Sequence, residues 1–485
     1  MLSSSPLDRF MMRSPVTVRQ VVEHLNATGL GFVVIVDHEG VPIATFTDGD
    51  ARRLYLSGIS LGNDLDLSSW PQPTVVDMTS SADTIFLALA QGVRYLPVVD
   101  ETGVLIDIAG RDKLRRVPAA QPSIGIDELS NVIRCFETGW LSSQGPFITE
   151  FEEEFARWTD SKYALAVSNG TVAIQLALSV IGIGPGDEVL VPNLTFAASI
   201  NAILAVGATP RLVDIDEETW TIDIDRISES VGPKTRAILP VHLYGQPARC
   251  DEIKKLAEDF SLEVIADAAE ALGASYKNRP IGSQFRASTF SFFANKQITT
   301  GEGGMIAFSE LQDVERAKLL RDHGMSRSKR YWHTVPGFNY RMTNMQAGIG
   351  VAQLSRLQSI QARRMEIFNR YESILAESSA IQFLPKNNWS TNSLWLFTVR
   401  LPGAAEAVRD GVIHSMAELG YELRPGFYPL SHMDPYRSFA KFPCPVSERL
   451  SRELISLPTY PDITDENVDG LAKALVATVE PRIKG

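Results

Sequence analysis

The 485-residue chain is predicted to be an α/β protein whose main domain carries a smaller α+β segment on either side. Three observations predict this. From Tyr163 to Asp267, apolar strands alternate with helical segments: Tyr163–Val167, Val172–Ile181, Glu188–Val191, Ala197–Val206, Arg211–Asp214, Ala237–Val241, Asp251–Phe260 and Glu263–Asp267. Such alternation is the mark of parallel strands joined by helical crossovers. The first ~115 residues hold an internal repeat. Beyond about Ser373, the strand Leu394–Val399 is followed by the helix Ala404–Leu419. The length suits about three domain-sized units. The expected division is 1–115, a linker at 116–123, a large domain at 124–372 and a small C-terminal α+β domain at 373–485.

Taken in chain order, the repeat comes first. Gly31-Phe-Val-Val-Ile-Val-Asp37-His-Glu-Gly40 parallels Arg94-Tyr-Leu-Pro-Val-Val-Asp100-Glu-Thr-Gly103. Each copy continues as a second strand and a helix opened by Asp, and each follows a helical segment, Val16–Asn26 or Ala82–Gln91. The first copy closes on Thr47-Asp-Gly-Asp50. The second is one residue shorter between Gly103 and Asp112 and has Ala109-Gly110 where the first has its hydroxyl residue. Arg115-Arg116-Val-Pro-Ala-Ala-Gln-Pro122-Ser is linker-like in its prolines and small residues. Past the alternating core, helical patterns run through Leu311–His323 and Asn344–Tyr371.

Composition narrows the function classes. Apolar residues make up 44% and charged residues 21%, as in ordinary globular proteins. A net charge of −12 argues against nucleic acid or an anionic membrane as the main partner. Cys135, Cys250 and Cys444 are too far apart for a metal-ligand pattern, and their odd number suits a reducing cytoplasm. There is no signal-peptide pattern and no apolar run long enough to span a bilayer. A cytoplasmic protein is expected.

The chemistry gathers around Lys296, in Ser291-Phe-Phe-Ala-Asn-Lys296-Gln-Ile-Thr-Thr-Gly-Glu-Gly-Gly304. The run Ser288–Phe293 delivers the amine into a loop of Thr and Gly. Partial burial there disfavours the ammonium and leaves a nucleophile able to form a Schiff base; the plainer alternative is a strand and a Gly-rich hairpin. Ala164-Leu-Ala-Val-Ser-Asn-Gly170-Thr171 reads as strand, turn and helix start, where free N–H groups and the dipole favour an anion. Glu263–Asp267 is an apolar strand ending in a carboxylate, which serves either as a helix N-cap or as the partner of a pyridinium nitrogen. Phe196, after the strand Glu188–Val191, is either core or a stacking platform. Together these supply a phosphate cradle, a flat face, an acid for a ring nitrogen and an amine for an aldehyde.

With these motifs, residues from about Ile124 to Lys484 resemble the PLP-dependent nucleotide-sugar aminotransferases, of the aspartate-aminotransferase-like fold type I. The resemblance is carried by Asn169-Gly-Thr, His242-Leu-Tyr-Gly-Gln-Pro247, Asp267-Ala-Ala-Glu270-Ala, Lys296-x-x-Thr-Thr-Gly-Glu-Gly-Gly304 and Gly337-Phe-Asn-Tyr-Arg-Met-Thr-Asn344, in the family's order. It implies pyridoxal 5′-phosphate as cofactor, L-glutamate as donor and a nucleotide-linked keto sugar as acceptor. It further implies that Lys296 holds the aldehyde and moves a proton, and that Asp267 keeps the ring nitrogen protonated. Thr171 and Ser291 match phosphate contacts, with Gly170 allowing the approach, and Phe196 offers the aromatic face. Asn339 matches a residue that reaches the phosphate from the other subunit of a homodimer; without its flanks it reads as a turn residue. Glu270 stands where much of the family has Gln, beside the cofactor's phenolic oxygen, and its charge state is left open. His323 either touches substrate or caps a helix. Arg424 and His432 are candidate diphosphate or sugar contacts.

The repeat is similar to a pair of CBS modules, which implies an adenine nucleotide contacted by Thr47 and Asp50; the alternative is a scaffold or dimerisation surface. Tyr331–Asn344 and Ile455-Ser-Leu-Pro-Thr-Tyr-Pro461 resemble the GDP-perosamine synthase branch. The expectation is transfer of an amino group from L-glutamate to C4 of GDP-4-keto-6-deoxy-D-mannose, for surface polysaccharide. The rivals are a dTDP- or UDP-linked keto sugar, or a nucleotide sensor with an inert PLP fold. The 3-dehydratase branch replaces the lysine by histidine, and Lys296 counts against it.

Overall fold

The computed structural model describes residues 6–28, 31–68, 70–77, 80, 84–85, 88, 95–110, 117–326 and 328–483. The expected helix Ala82–Gln91 falls largely outside them, as do Arg111, Asp112, Arg115, Arg116 and Lys484. Two compact units result, 1–116 and 117–485.

The first unit builds one motif twice. Strand β1 (Met11–Arg13), helix α1 (Val18–Thr28), β2 (Phe32–Val36), β3 (Pro42–Thr47) and α2 (Asp48–Leu56) form the first copy. In the second, β4 (Val76–Asp77), β5 (Tyr95–Val99) and β6 (Leu105–Gly110) repeat its sheet. The first pair of strands runs parallel and the second antiparallel in both sheets. Each hairpin turns on an Asp whose carboxylate accepts two backbone N–H groups: Asp37 from Glu39 and Val41, Asp100 from Thr102 and Val104. Gly40 and Gly103 take the left-handed position in these turns, at φ 94° and 86°.

In the second unit, helices α3 (Ile126–Thr138) and α4 (Pro146–Trp158) precede a long alternation. It runs β7 (Tyr163–Val167), α5 (Gly170–Val180), β8 (Glu188–Pro192), α6 (Ala198–Ala205), β9 (Thr209–Val213), α7 (Ile224–Ser230), β10 (Thr235–Ile238), α8 (Cys250–Phe260) and β11 (Glu263–Asp267). Two short strands, β12 (Ser275–Tyr276) and β13 (Arg279–Pro280), lead to β14 (Ala287–Ser291), β15 (Gly304–Phe308) and α9 (Leu311–Arg321). The seven-stranded sheet has the order β7-β15-β14-β11-β10-β8-β9 and is parallel except for β15. Alternate residues feed two cores, one on each face. Ala164 and Ala166 pack with Phe151 and Phe155 of α4, whereas Leu165 and Val167 pack with Ile174 and Ala177 of α5. β10 stops short of the expected Val241; Pro240 follows and has no N–H for the ladder.

The remaining elements are α10 (Asn344–Ser355), α11 (Leu357–Leu375), β16 (Gln382–Phe383), β17 (Ser390–Thr391), β18 (Phe397–Arg400), α12 (Glu406–Glu418), β19 (Arg424–Pro425), α13 (Pro445–Glu453), β20 (Leu454–Leu457) and α14 (Asp465–Ile483). The periodicity over Asn344–Tyr371 predicted one helix. The structure breaks it at Arg356, whose guanidinium reaches buried Glu128 at 2.9 Å. Helix α11 packs Leu357 and Ile360 into the large core and Ile367, Tyr371 and Leu375 into the core around the antiparallel sheet β16-β18-β20-β19. Val117, placed in the linker by composition, is buried in this small core and bonded to Gly420 and Glu422. Among the described residues, no helix is long and apolar enough to cross a membrane.

Candidate active site

Parallel strands deliver their last residues to one edge of the sheet. There the segments after β7, β8, β11 and β14 enclose a cavity of about 760 Å³, lined by Gly170, Thr171, Phe196, Asp267, Glu270, Ser291, Lys296 and Arg424 among others. Eight expected site residues thus meet in one place.

At one end is the start of α5. Its N-cap, Asn169, accepts the Val172 N–H at 3.0 Å; the Gly170 and Thr171 N–H groups have no acceptor within the helix, as at any helix start. A Cβ on Gly170 would lie 2.8 Å from the Ser291 Cβ, so only glycine lets this turn close on Ser291. Two hydroxyl residues, Thr171 and Ser291, and a positive helix end therefore line the same part of the cavity, as an anion site requires.

Asp267 ends β11 and is 5% exposed. Its Oδ2 accepts the Ser199 hydroxyl at 2.7 Å and its Oδ1 the Ala269 N–H at 3.1 Å. No helix follows, so the N-cap alternative falls away. Burial raises its pKa, opposed by those two hydrogen bonds and by Lys296, so a cationic partner inside the cavity suits it. Phe196 is 61% exposed and lines the cavity, which excludes the core alternative.

Lys296 enters from the loop between β14 and β15. Its side chain is 13% exposed, its Nζ 3.7 Å from Glu270 Oε1 and 4.1 Å from the centre of the Trp395 ring. Burial lowers its pKa, against the opposite pull of Glu270 and Asp267. Glu270 is pushed up to about 7 by burial, despite Lys296 and the Tyr244 N–H, which donates to Oε2 at 2.8 Å.

The other expected contacts lie elsewhere. His323 is not in the cavity wall; it takes the left-handed position after α9, at φ 58°, and Gly324 N–H bonds back to Leu319 O. That is the capping alternative. His432 is half-exposed beside Glu448, 3.6 Å away. Asn339 is exposed and accepts from the Arg341 guanidinium. In the first unit, Thr47 and Asp50 satisfy each other at the start of α2: Asp50 Oδ2 takes the Thr47 N–H at 2.8 Å and its hydroxyl at 2.6 Å, and Arg53 takes Oδ1. This is a capping box with Asp in the third position.

Sequence reasoning missed Trp395, Ser199, Tyr244 and Phe427, all of which line the cavity or hold its groups. Ser199 and Tyr244 sit inside segments singled out for other residues; Trp395 and Phe427 had no local signal.

The residues fit pyridoxal phosphate on structural grounds: a buried amine whose pKa burial lowers, a buried carboxylate for a ring nitrogen and a cradle that a Cβ would fill. A model of the DegT/DnrJ/EryC1/StrS aminotransferase family matches residues 122–476. The chain is 43% identical over 363 residues to the GDP-perosamine synthase of Caulobacter vibrioides, spanning 75% of this chain and 98% of that one. It is 37% identical over 360 residues to that of Vibrio cholerae, spanning 74% and 98%. Among solved structures, a Streptococcus pneumoniae protein assigned as a sugar aminotransferase, in its PLP-form, superposes with a TM-score of 0.72 at 30% identity, over 76% of this chain and 99% of that one.

Proposed function

Because the chain belongs to the DegT/DnrJ/EryC1/StrS aminotransferase family, we propose that it moves the amino group of L-glutamate to C4 of GDP-4-keto-6-deoxy-D-mannose. The product is GDP-perosamine, made in the cytoplasm for a surface polysaccharide. That the chain is a sugar aminotransferase using pyridoxal phosphate is the premise; the sugar and nucleotide are the proposal. The observation that carries it is the Lys296 amine facing buried Asp267 and Glu270 in one cavity. The choice of sugar is supported by relatives named GDP-perosamine synthase along nearly their whole length.

When bound, pyridoxal phosphate supplies an aldehyde to carry the amino group and a ring to accept electrons. The protein's residues do the rest. Thr171, Ser291 and the start of α5 hold the phosphate, and Phe196 offers a flat face. Asp267, held by Ser199 and the Ala269 N–H, keeps a proton on the ring nitrogen. Lys296 Nζ would hold the cofactor's aldehyde and, as a free amine, would take up and return a proton. Arg424, on the cavity wall, supplies a cation for the sugar-linked diphosphate.

The test is a single turnover followed by absorbance. The enzyme is converted with glutamate, freed of donor and given GDP-4-keto-6-deoxymannose. Return of the aldehyde-form spectrum supports the assignment. No return after bleaching by glutamate keeps the aminotransferase and sends the search to dTDP- and UDP-linked keto sugars.

Two copies are part of this reading. Ile126, Leu129, Ile133 and Phe136 of α3 are 70%, 52%, 47% and 63% exposed at helical spacing, an apolar face suited to a second copy, and exposed Asn339, its oxygen held by Arg341, is the residue that would reach the partner's phosphate site. For the first unit we propose a CBS-type pair that takes an adenine nucleotide at Thr47 and Asp50 and tunes turnover; the two matching sheets and Asp turns support it. Adenine nucleotides then change turnover and Asp50→Ala abolishes the change. A flat response leaves the unit a scaffold.

A further inference from the structure

The chemistry proposed for Lys296 needs it as a neutral amine before it can take up a proton, and the proton it holds as an ammonium must first go somewhere. Asp267 is a poor place for it, because both its oxygens already accept hydrogen bonds. Glu270 is differently held. The Tyr244 N–H occupies Oε2 at 2.8 Å. Tyr244 is itself pinned, its main chain left-handed (φ 51°, ψ 29°), its hydroxyl accepting the Phe427 N–H at 2.9 Å and its carbonyl the Asn392 amide at 3.1 Å. The main-chain carbonyl of Glu270 accepts Gln297 and Ser393 at 2.6 and 2.5 Å. The carboxyl is thus fixed in place with Oε1 turned to Lys296, 3.7 Å away. An approach of about 0.8 Å makes this a hydrogen bond.

We propose that Glu270 and Lys296 share a single proton, so that Glu270 Oε1 takes the proton whenever the Lys296 amine is required neutral and returns it afterwards. In the transfer an N–H bond of Lys296 breaks and an O–H bond of Glu270 forms; the net charge of the pair does not change. This deepens the aminotransferase reading and rests on it for its purpose, though not for its geometry.

The surrounding charges favour the exchange. Asp267, on the same stretch of chain, is a second carboxylate, and two buried carboxylates resist being ionised together. Arg424 of β19 pushes the proton off Lys296, while Trp395 beneath Nζ steadies the ammonium. The Tyr244 phenol is buried and stays neutral, its pKa raised by burial. Glu302 also lines the cavity. Burial lifts Glu270 to about 7 and lowers Lys296, so it moves the two groups toward each other.

The experiment uses the full chain freed of cofactor. Trace acetic anhydride labels neutral amines, and the Lys296 peptide is quantified by mass spectrometry from roughly pH 5 to 10. A shared proton gives a plateau, because the neutral-amine fraction is constant while the pair holds one proton. In Glu270→Gln the plateau is replaced by a rise of roughly tenfold per pH unit. Parallel curves in the two proteins overturn the proposal. Should the variant not fold, the infrared band of a protonated carboxyl in the native protein decides: it must persist across the plateau, and its absence there overturns the proposal. No cofactor enters either measurement. A plateau in a chain that fails to bind pyridoxal phosphate keeps the pair and removes its catalytic purpose; phosphate-cofactor binding without a plateau does the reverse.

Discussion

Replacing Gly170 by Ala tests the cradle most sharply, since it separates cofactor binding from fold stability. The added methyl would sit 2.8 Å from Ser291 Cβ and 3.1 Å from Ser291 Oγ, where carbon atoms prefer about 3.5–4.0 Å. One of the two chains must therefore yield by nearly an ångström. Ser291 is the last residue of β14, tied to Gly304 of β15, so the helix start and the serine hydroxyl cannot both keep their places. Overpacking of this size costs about 1–3 kcal/mol, and at 1.4 kcal/mol per factor of ten the affinity for pyridoxal phosphate falls about 5- to 150-fold. Folding feels a compensating term, because Ala in place of a helical Gly gains up to about 1 kcal/mol. Gly170 is not at a positive φ, so no backbone penalty is added. Spectroscopic titration of the cofactor, alongside thermal unfolding of the cofactor-free protein, reads both. Unchanged affinity in a normally stable variant would refute the assignment of this turn as the phosphate cradle.

Asp267→Ala leaves Ser199 without its acceptor and removes the ring-nitrogen partner; turnover falls about 10²-fold or more, the scale of losing one preorganised electrostatic group, while near-normal turnover in a steady-state assay sinks that role. Thr47→Ala removes the cap of α2 and costs about 1 kcal/mol, read as a lower denaturation midpoint of the first unit; an unchanged midpoint means the cap is idle. His242 is fully buried, its Nδ1 accepts the Ala248 N–H at 3.0 Å, and burial takes its pKa from 6.5 to about 3. Between those values the unfolded chain binds a proton that the folded chain refuses, so stability is lost as pH falls below 6.5, by up to ~1.4 kcal/mol per pH unit. In His242→Asn the decline of the urea midpoint over that range is shallower, and an equal slope counts against the assignment.

What could be read locally was read. The Gly170 turn, the Asp267 strand end and the Lys296 loop each combine an apolar run with adjacent turn chemistry, and both signals lie within a few residues. Trp395 and Ser199 act across the fold, on groups about 100 and 68 residues distant, where no periodicity links them. The break at Arg356 had no local signal either: its guanidinium bonds to Glu128, which lies in another helix. His323 and Glu448-paired His432 lie outside the cavity lining of the single chain, and their neighbours account for where they sit.

The strand order has a consequence for the chain as it is made. β7 lies at the sheet edge, and its neighbour in the sheet is β15, which leaves the ribosome roughly 140 residues later, about 7–30 s at ordinary elongation rates. For that interval Leu165 and Val167, fully covered in the finished protein, have no strand to lie against. The nascent chain is therefore most exposed to mispairing just before Gly304 emerges, and slow codons downstream of Phe308 would shelter it better than slow codons before.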